Sequence, residues 1–205
     1  MTTVTCRCDN QIEVDVPERV NLDTDASSLM SMLDASFLSQ TCPRCGAPVR
    51  PEFSVRVSWP TKGMDVQVLP ELDRISVYRD KADAPKGVEI LVGYPELFER
   101  VRELRDGLDP RAVEIVKYYL LEKAEESEPD ADVTVLYHAK EGERLVFHVL
   151  GFKSGDTGVV KLPVDTYSRA FDGLKDSMSR EPFQSVFQGA YRSINKLAFL
   201  DDEEA

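Results

Sequence analysis

The chain has 205 residues, 42% apolar and 30% charged, a balance that suits a globular protein with one large domain or two small ones. Its 25 basic and 37 acidic residues leave a formal charge of −12, which removes any bulk electrostatic reason to bind nucleic acid or an anionic membrane. No apolar run approaches the roughly 20 residues of a membrane span, and the opening Met-Thr-Thr-Val-Thr-Cys lacks the basic and apolar regions of a signal peptide, so the expected compartment is the cytoplasm.

In residues 11–16 polar and apolar side chains alternate, which puts Ile12, Val14 and Val16 on one face of a strand. A helix is expected over 24–34, with Leu29, Met30 and Leu33 as its apolar stripe and Asp or Thr as its cap. Phe53, Val55, Val57 and Trp59 alternate with polar residues, and so do Met64, Val66 and Val68. The turn at Pro60, Lys62 and Gly63 makes these two strands a hairpin. Ile75–Tyr78 and Val88–Val92 are shorter strand candidates.

From residue 95 the period changes to that of a helix. Pro95 stands at a first helical position and Gly107 at a stop, with Leu97, Phe98, Val101 and Leu104 between them on one stripe. Asp109-Pro110 then caps and starts a second helix that runs to about Ala124, completing a helical hairpin. The acidic stretch 122–132 reads either as a linker or as a solvated helix end. Three strands follow, near 132–138, 144–152 and 158–163, joined at Glu141-Gly142 and Ser154-Gly155-Asp156 into a meander. Two amphipathic helices close the chain. The first carries Tyr167, Ala170, Phe171, Leu174 and Met178 on one stripe, and the second carries Val186, Phe187, Ala190, Tyr191, Ile194 and Leu197. The tail Asp-Asp-Glu-Glu-Ala reads as a disordered, solubilising end. The expected class is α+β: an N-terminal zinc-ribbon-like β domain with an inserted helix and the helical hairpin, over 1–126, then the meander with its two helices, over 131–200.

The cysteines carry the sharpest chemistry. In Cys42-Pro43-Arg44-Cys45-Gly46, two intervening residues let both sulfurs turn to one point, Pro43 sets the turn, and Gly46 permits a left-handed backbone. Cys6-Arg7-Cys8 supplies a second pair with one residue between; in a straight strand those positions lie about 6.6 Å apart, so the backbone must bend at Arg7. Together Cys6, Cys8, Cys42 and Cys45 make a closed tetrahedral set for one structural Zn2+. A disulfide disagrees with a cytoplasmic compartment. A thioredoxin-type pair would have to open a helix, which Gly46 and Pro48 forbid. Buried free thiols would not need paired spacing.

These features resemble the CpXC domain family, a zinc-ribbon-like group with Cys-Pro-X-Cys motifs. The resemblance covers about the first 125 residues and rests on five stretches. They are the early cysteine pair, Val20-Asn21-Leu22-Asp23, Thr-Cys-Pro-Arg-Cys-Gly, Glu96-Leu97-Phe98-Glu99 through Asp106-Gly107-Leu108-Asp109, and Glu114-Ile115-Val116-Lys117. It implies the metal and the fold but no activity.

Other candidates have plainer readings. With Glu141-Gly142 as a two-residue turn, His138 faces Leu145, while His148 faces Val135 on the other side of the sheet, so the two share nothing. Arg100, Arg102 and Arg105 fit a solvated helix face paired with acids. Trp59, Tyr78, Tyr118 and Tyr119 fit packing better than an interface. Lys153–Gly158 fits a hairpin turn, not a phosphate loop. No nucleophile or acid/base pair stands out, so no catalytic and no organic-cofactor residue is expected. The reading is a non-catalytic zinc protein that binds a protein partner or itself. A nucleic-acid-associated ribbon and an enzyme acting in a groove of the C-terminal region are the alternatives.

Overall fold

Two short hairpins punctuate the first unit of the computed structural model, which describes residues 1–79, 81–82, 85–129 and 131–197. In the first, β1 (Thr2–Thr5) pairs antiparallel with β2 (Gln11–Val14), Val4 opposite Ile12. β3 (Arg19–Asn21) follows, then α1 (Ala26–Leu33), whose N-cap Asp25 accepts the Ser28 N–H at 2.9 Å. The second hairpin pairs β4 (Gln40–Thr41) with β5 (Pro48–Val49). On α1 the buried residue is Met32, while Met30 is 61% exposed, so the inner face is rotated from the expected Leu29–Met30–Leu33 stripe.

The alternating runs form β6 (Val55–Trp59) and β7 (Met64–Leu69), paired antiparallel with Val57 opposite Val66. Their inward residues Val55, Val57, Val66 and Val68 are fully buried. The sheet is wider than a hairpin: its order is β3-β6-β7-β8, with β3 parallel to β6 and β8 (Glu89–Val92) parallel to β7. Ile75–Tyr78 is not a strand. It lies in α2 (Arg74–Tyr78), where Arg74 reaches Tyr78 one turn on at 3.1 Å, and the place beside β7 belongs to β8.

By its internal contacts the chain divides into Met1–Phe98 and Glu99–Ala205, and α3 (Gly93–Arg105) crosses the division. In the second unit the Leu108 N–H closes onto the Glu103 carbonyl, and Asp109 accepts the Arg111 N–H to start α4 (Pro110–Ser127). α4 runs three residues past Ala124, so the acidic stretch begins as a helix end. β9 (Thr134–Glu141), β10 (Arg144–Leu150) and β11 (Gly158–Pro163) form the expected antiparallel meander. Val135, Tyr137, Leu145, Phe147 and Val149 pack with Val113, Val116 and Leu120 of α4 in one core.

The two C-terminal helices are a correction. α5 (Val164–Asp172), α6 (Leu174–Ser177) and α7 (Phe183–Val186) are separate pieces, and Ile194–Lys196 is a 3-10 turn. Gly189, at φ 84°, breaks the second stripe between Phe187 and Tyr191. Phe171, expected on the buried stripe, is 48% exposed. The tail lies outside the described residues.

The histidines are a second correction. Glu141 pairs with Arg144, which moves the turn to Gly142-Glu143, and the ladder slips between Val146 and Phe147, leaving His138 as the bulged residue. The slip returns both histidines to one face, where their rings stack at 4.0 Å and 18°. Burial, then the neighbouring His148 and Arg102, hold the His138 pKa below its usual value.

Candidate metal centre

The four cysteine sulfurs lie within 4.8 Å of one another, and among the described residues they are the one such group of three or more metal-ligating side chains. Each pair sits in the loop of one hairpin. Cys6 and Cys8 lie between β1 and β2, and Cys42 and Cys45 lie between β4 and β5.

The two loops are built alike. In the second, the Cys42 N–H donates to the Ala47 carbonyl and the Gly46 N–H donates back to the Cys42 carbonyl, both at 2.9 Å. In the first, the Cys6 N–H donates to the Asn10 carbonyl and the Asp9 N–H donates back to the Cys6 carbonyl, again at 2.9 Å. The first loop is one residue shorter, and the missing residue is the one absent between its cysteines. The residue after the second cysteine is left-handed in both, Asp9 at φ 63° and Gly46 at φ 71°. The bend at Arg7 is therefore a full turn, and the 6.6 Å spacing of a straight strand does not arise. Arg44 ties the loops together by donating to the Cys8 carbonyl at 3.0 Å. Asp9 is the positioning residue that sequence reasoning missed; the signal was available, because Asp and Asn tolerate this backbone better than other side chains.

Cross-loop contacts bring Cys6 to 3.7 Å from Cys45 and Cys8 to 3.6 Å from Cys42, sulfur to sulfur. A tetrahedron with metal–sulfur bonds of about 2.3 Å has sulfur–sulfur edges of about 3.8 Å, so the four sulfurs fit such a shell with little movement. No bridge is formed within either pair, and all four are free cysteines. Cys6 and Cys42 are buried and pack with Ala47, Ile12 and Val49, while Cys45 is exposed.

The thiols are also electrostatically divided. Burial opposes ionisation of Cys42, but the backbone N–H groups of Cys45 and Arg44 and the Cys6 and Cys8 thiols hold it down at about 6. The Asn10 backbone favours the Cys8 thiolate, yet burial and the three neighbouring thiols together push Cys8 up to about 12. One thiolate is thus stabilised at the expense of its neighbours, and a cation at the centre is what favours ionising the whole set.

With this geometry in view, comparison with known proteins is decisive for the family. The model of the CpXC family, described as CpXC protein, matches residues 4–117. The chain belongs to the CpXC family. The match takes in all four cysteines, the whole of α3 and the first turns of α4, as far as Lys117. A relative from Treponema pallidum (strain Nichols), described as an uncharacterized protein, is 26% identical over 221 residues, covering 98% of this chain and 100% of the relative. No solved structure matches the chain.

A second constellation was not visible in the sequence as one. Lys117, wholly buried on α4, contacts Glu114 at 2.7 Å and Glu99 at 2.8 Å. The other oxygen of Glu99 accepts the Tyr137 N–H of β9, and the other oxygen of Glu114 accepts the Ile194 N–H. Glu103 pairs with Arg100 at 3.2 Å, which makes Arg100 a buried partner and not part of a surface patch. Burial first, then neighbouring carboxylates, raise Glu99 to about 7 and Glu103 to about 8. Desolvation opposes the Lys117 charge, but the surrounding glutamates outweigh it and raise its pKa. Folding therefore favours the protonated form of Glu99 and of Glu103. No helix among the described residues is long and apolar enough to cross a membrane.

Proposed function

We propose that the chain is a non-catalytic, zinc-stapled module that works in the cytoplasm by binding a protein partner or a second copy of itself. Cys6, Cys8, Cys42 and Cys45 would ligate one Zn2+. The observation that carries this is the pair of matching loops that brings four sulfurs within 4.8 Å of each other. Four thiolates fill a tetrahedral shell, which leaves no position for water or substrate and suits a structural ion. Such an ion closes the long segment between the hairpins and supplies folding energy directly.

Two further observations support a binding role over catalysis. The Glu99, Glu114 and Lys117 groups are bonded to one another and to backbone amides. Leu72 is 96% exposed and Ile75 50% exposed on the segment between β7 and β8, an apolar feature a partner would cover.

The test has two arms. Protein purified under reducing conditions without chelator should carry one zinc per chain by elemental analysis, and clearly substoichiometric zinc contradicts the metal assignment. Native pulldown and light scattering should find a stable protein partner or self-association, which Leu72→Glu weakens. Repeated absence of both contradicts the interaction reading while leaving the zinc intact.

A further inference from the structure

In the second unit, α4, β11, α5 and the end of α6 enclose a half-open cavity of about 340 Å³. That volume lies at the small end of the range for ligand sites, roughly 300–1,000 Å³. Its floor is apolar: Ile115, Val116 and Leu120 from α4, Leu162 from β11 and Ala170 from α5. Tyr119, 53% exposed, forms a lip.

The rim has the opposite character. Lys123 and Arg169 line it, with the hydroxyls of Thr166 and Ser177, and among the described residues no carboxylate lines the cavity. In a chain of charge −12 this is unusual company. Elsewhere in the fold Arg56, Arg105, Arg111, Lys117 and Lys161 each rest on a carboxylate. Lys123 and Arg169 form no ion pair among the described residues. Arg169 gives its Nε to the Asp165 carbonyl at 3.3 Å, which orients the guanidinium.

We propose that this cavity binds a small anionic amphiphile. A carboxylate or phosphate head would sit between Lys123 and Arg169 and accept from Thr166 and Ser177, with a short aliphatic or aromatic body on the Ile115–Val116–Leu120 floor. The guanidinium fork suits either head group, and the volume limits the body to a short one. The inference is independent of the zinc centre, which lies in the other unit, and it asks for no reaction.

The full-length protein, with isotope-labelled methyl groups, should be titrated with octanoate, octyl phosphate, octanol and octylamine. Saturable shifts are expected at the methyls of Ile115, Val116, Leu120, Leu162 and Ala170. At least one of the two anions should bind about tenfold more tightly than octanol, with octylamine weakest, and the better anion identifies the head group. Lys123→Gln with Arg169→Gln, both at exposed positions, should bring that anion to the octanol level while leaving the thermal melt and the metal content unchanged. Equal binding of octanol and both anions, shifts scattered over the whole molecule, absence of saturable shifts, or undiminished anion binding by the double variant would each overturn the proposal.

Discussion

The residue after each second cysteine decides whether its loop can close. Gly46 at φ 71° costs nothing sterically, whereas an alanine there meets the left-handed penalty of about 1–2 kcal/mol. Nothing lies within 4 Å of a methyl group added at Gly46, so the penalty is one of backbone conformation alone. We predict that Gly46→Ala lowers stability by about that amount in urea unfolding with zinc saturating. Asp9→Gly, at φ 63°, should change it by less than about 0.5 kcal/mol. A larger loss at Asp9 than at Gly46 would show that the Asp9 side chain, not its backbone, closes the first loop. Gly46 was legible in the sequence because glycine after a Cys-Pro-X-Cys pair has one obvious use. Asp9 was not, because aspartate serves equally as a cap, a turn residue or a surface charge.

At the scale of elements, the parts that were legible are those in which local chemistry and tertiary placement agree. The alternation in Val55–Trp59 and Met64–Leu69, and the Asp109-Pro110 start of α4, reappear almost residue for residue. What was hidden depends on partners distant in sequence. The parallel pairing of β3 with β6 and of β8 with β7 leaves no periodic mark. A four-residue stretch such as Ile75–Tyr78, apolar but for Ser76, fits helix and strand alike. One bulged residue, His138, inverts the face of everything beyond it. The buried glutamates of α3 and α4 read as an ordinary solvated face until Lys117 is placed among them.

Those glutamates make a pH prediction. An acid whose pKa is raised on folding holds its proton more tightly folded than unfolded. Its contribution to stability is greatest below the ordinary carboxylate pKa of 4.5 and is lost as pH rises through its folded values, about 7 for Glu99 and about 8 for Glu103. Thiolate ligation has the opposite pH dependence, so the comparison must be between variants. Glu103→Gln keeps an acceptor for Arg100 and removes the titration. Its stability relative to wild type should therefore rise between pH 5 and pH 9 in urea unfolding. A difference that stays flat over that interval would place the retained proton on some other group.

For the whole molecule, each unit has a core of its own, and the cysteines belong to the first. The 33 residues between Cys8 and Cys42 form the loop that a metal clip would close. Trp59, the single tryptophan, is buried in the first unit and reports on it. Removing the metal with a strong chelator should therefore shift Trp59 emission to the red and release the amides of β6 and β7 to hydrogen exchange. The amides of β9 and β10 should keep their protection. Loss of protection throughout would mean that the second unit depends on the metal as well.

The proposed shell of four thiolates around one ion is measured most directly by X-ray absorption at the zinc edge of the protein as purified. It should give four sulfur neighbours at about 2.3 Å and no nitrogen or oxygen in the first shell. A mixed shell, or zinc below one per chain, would contradict it.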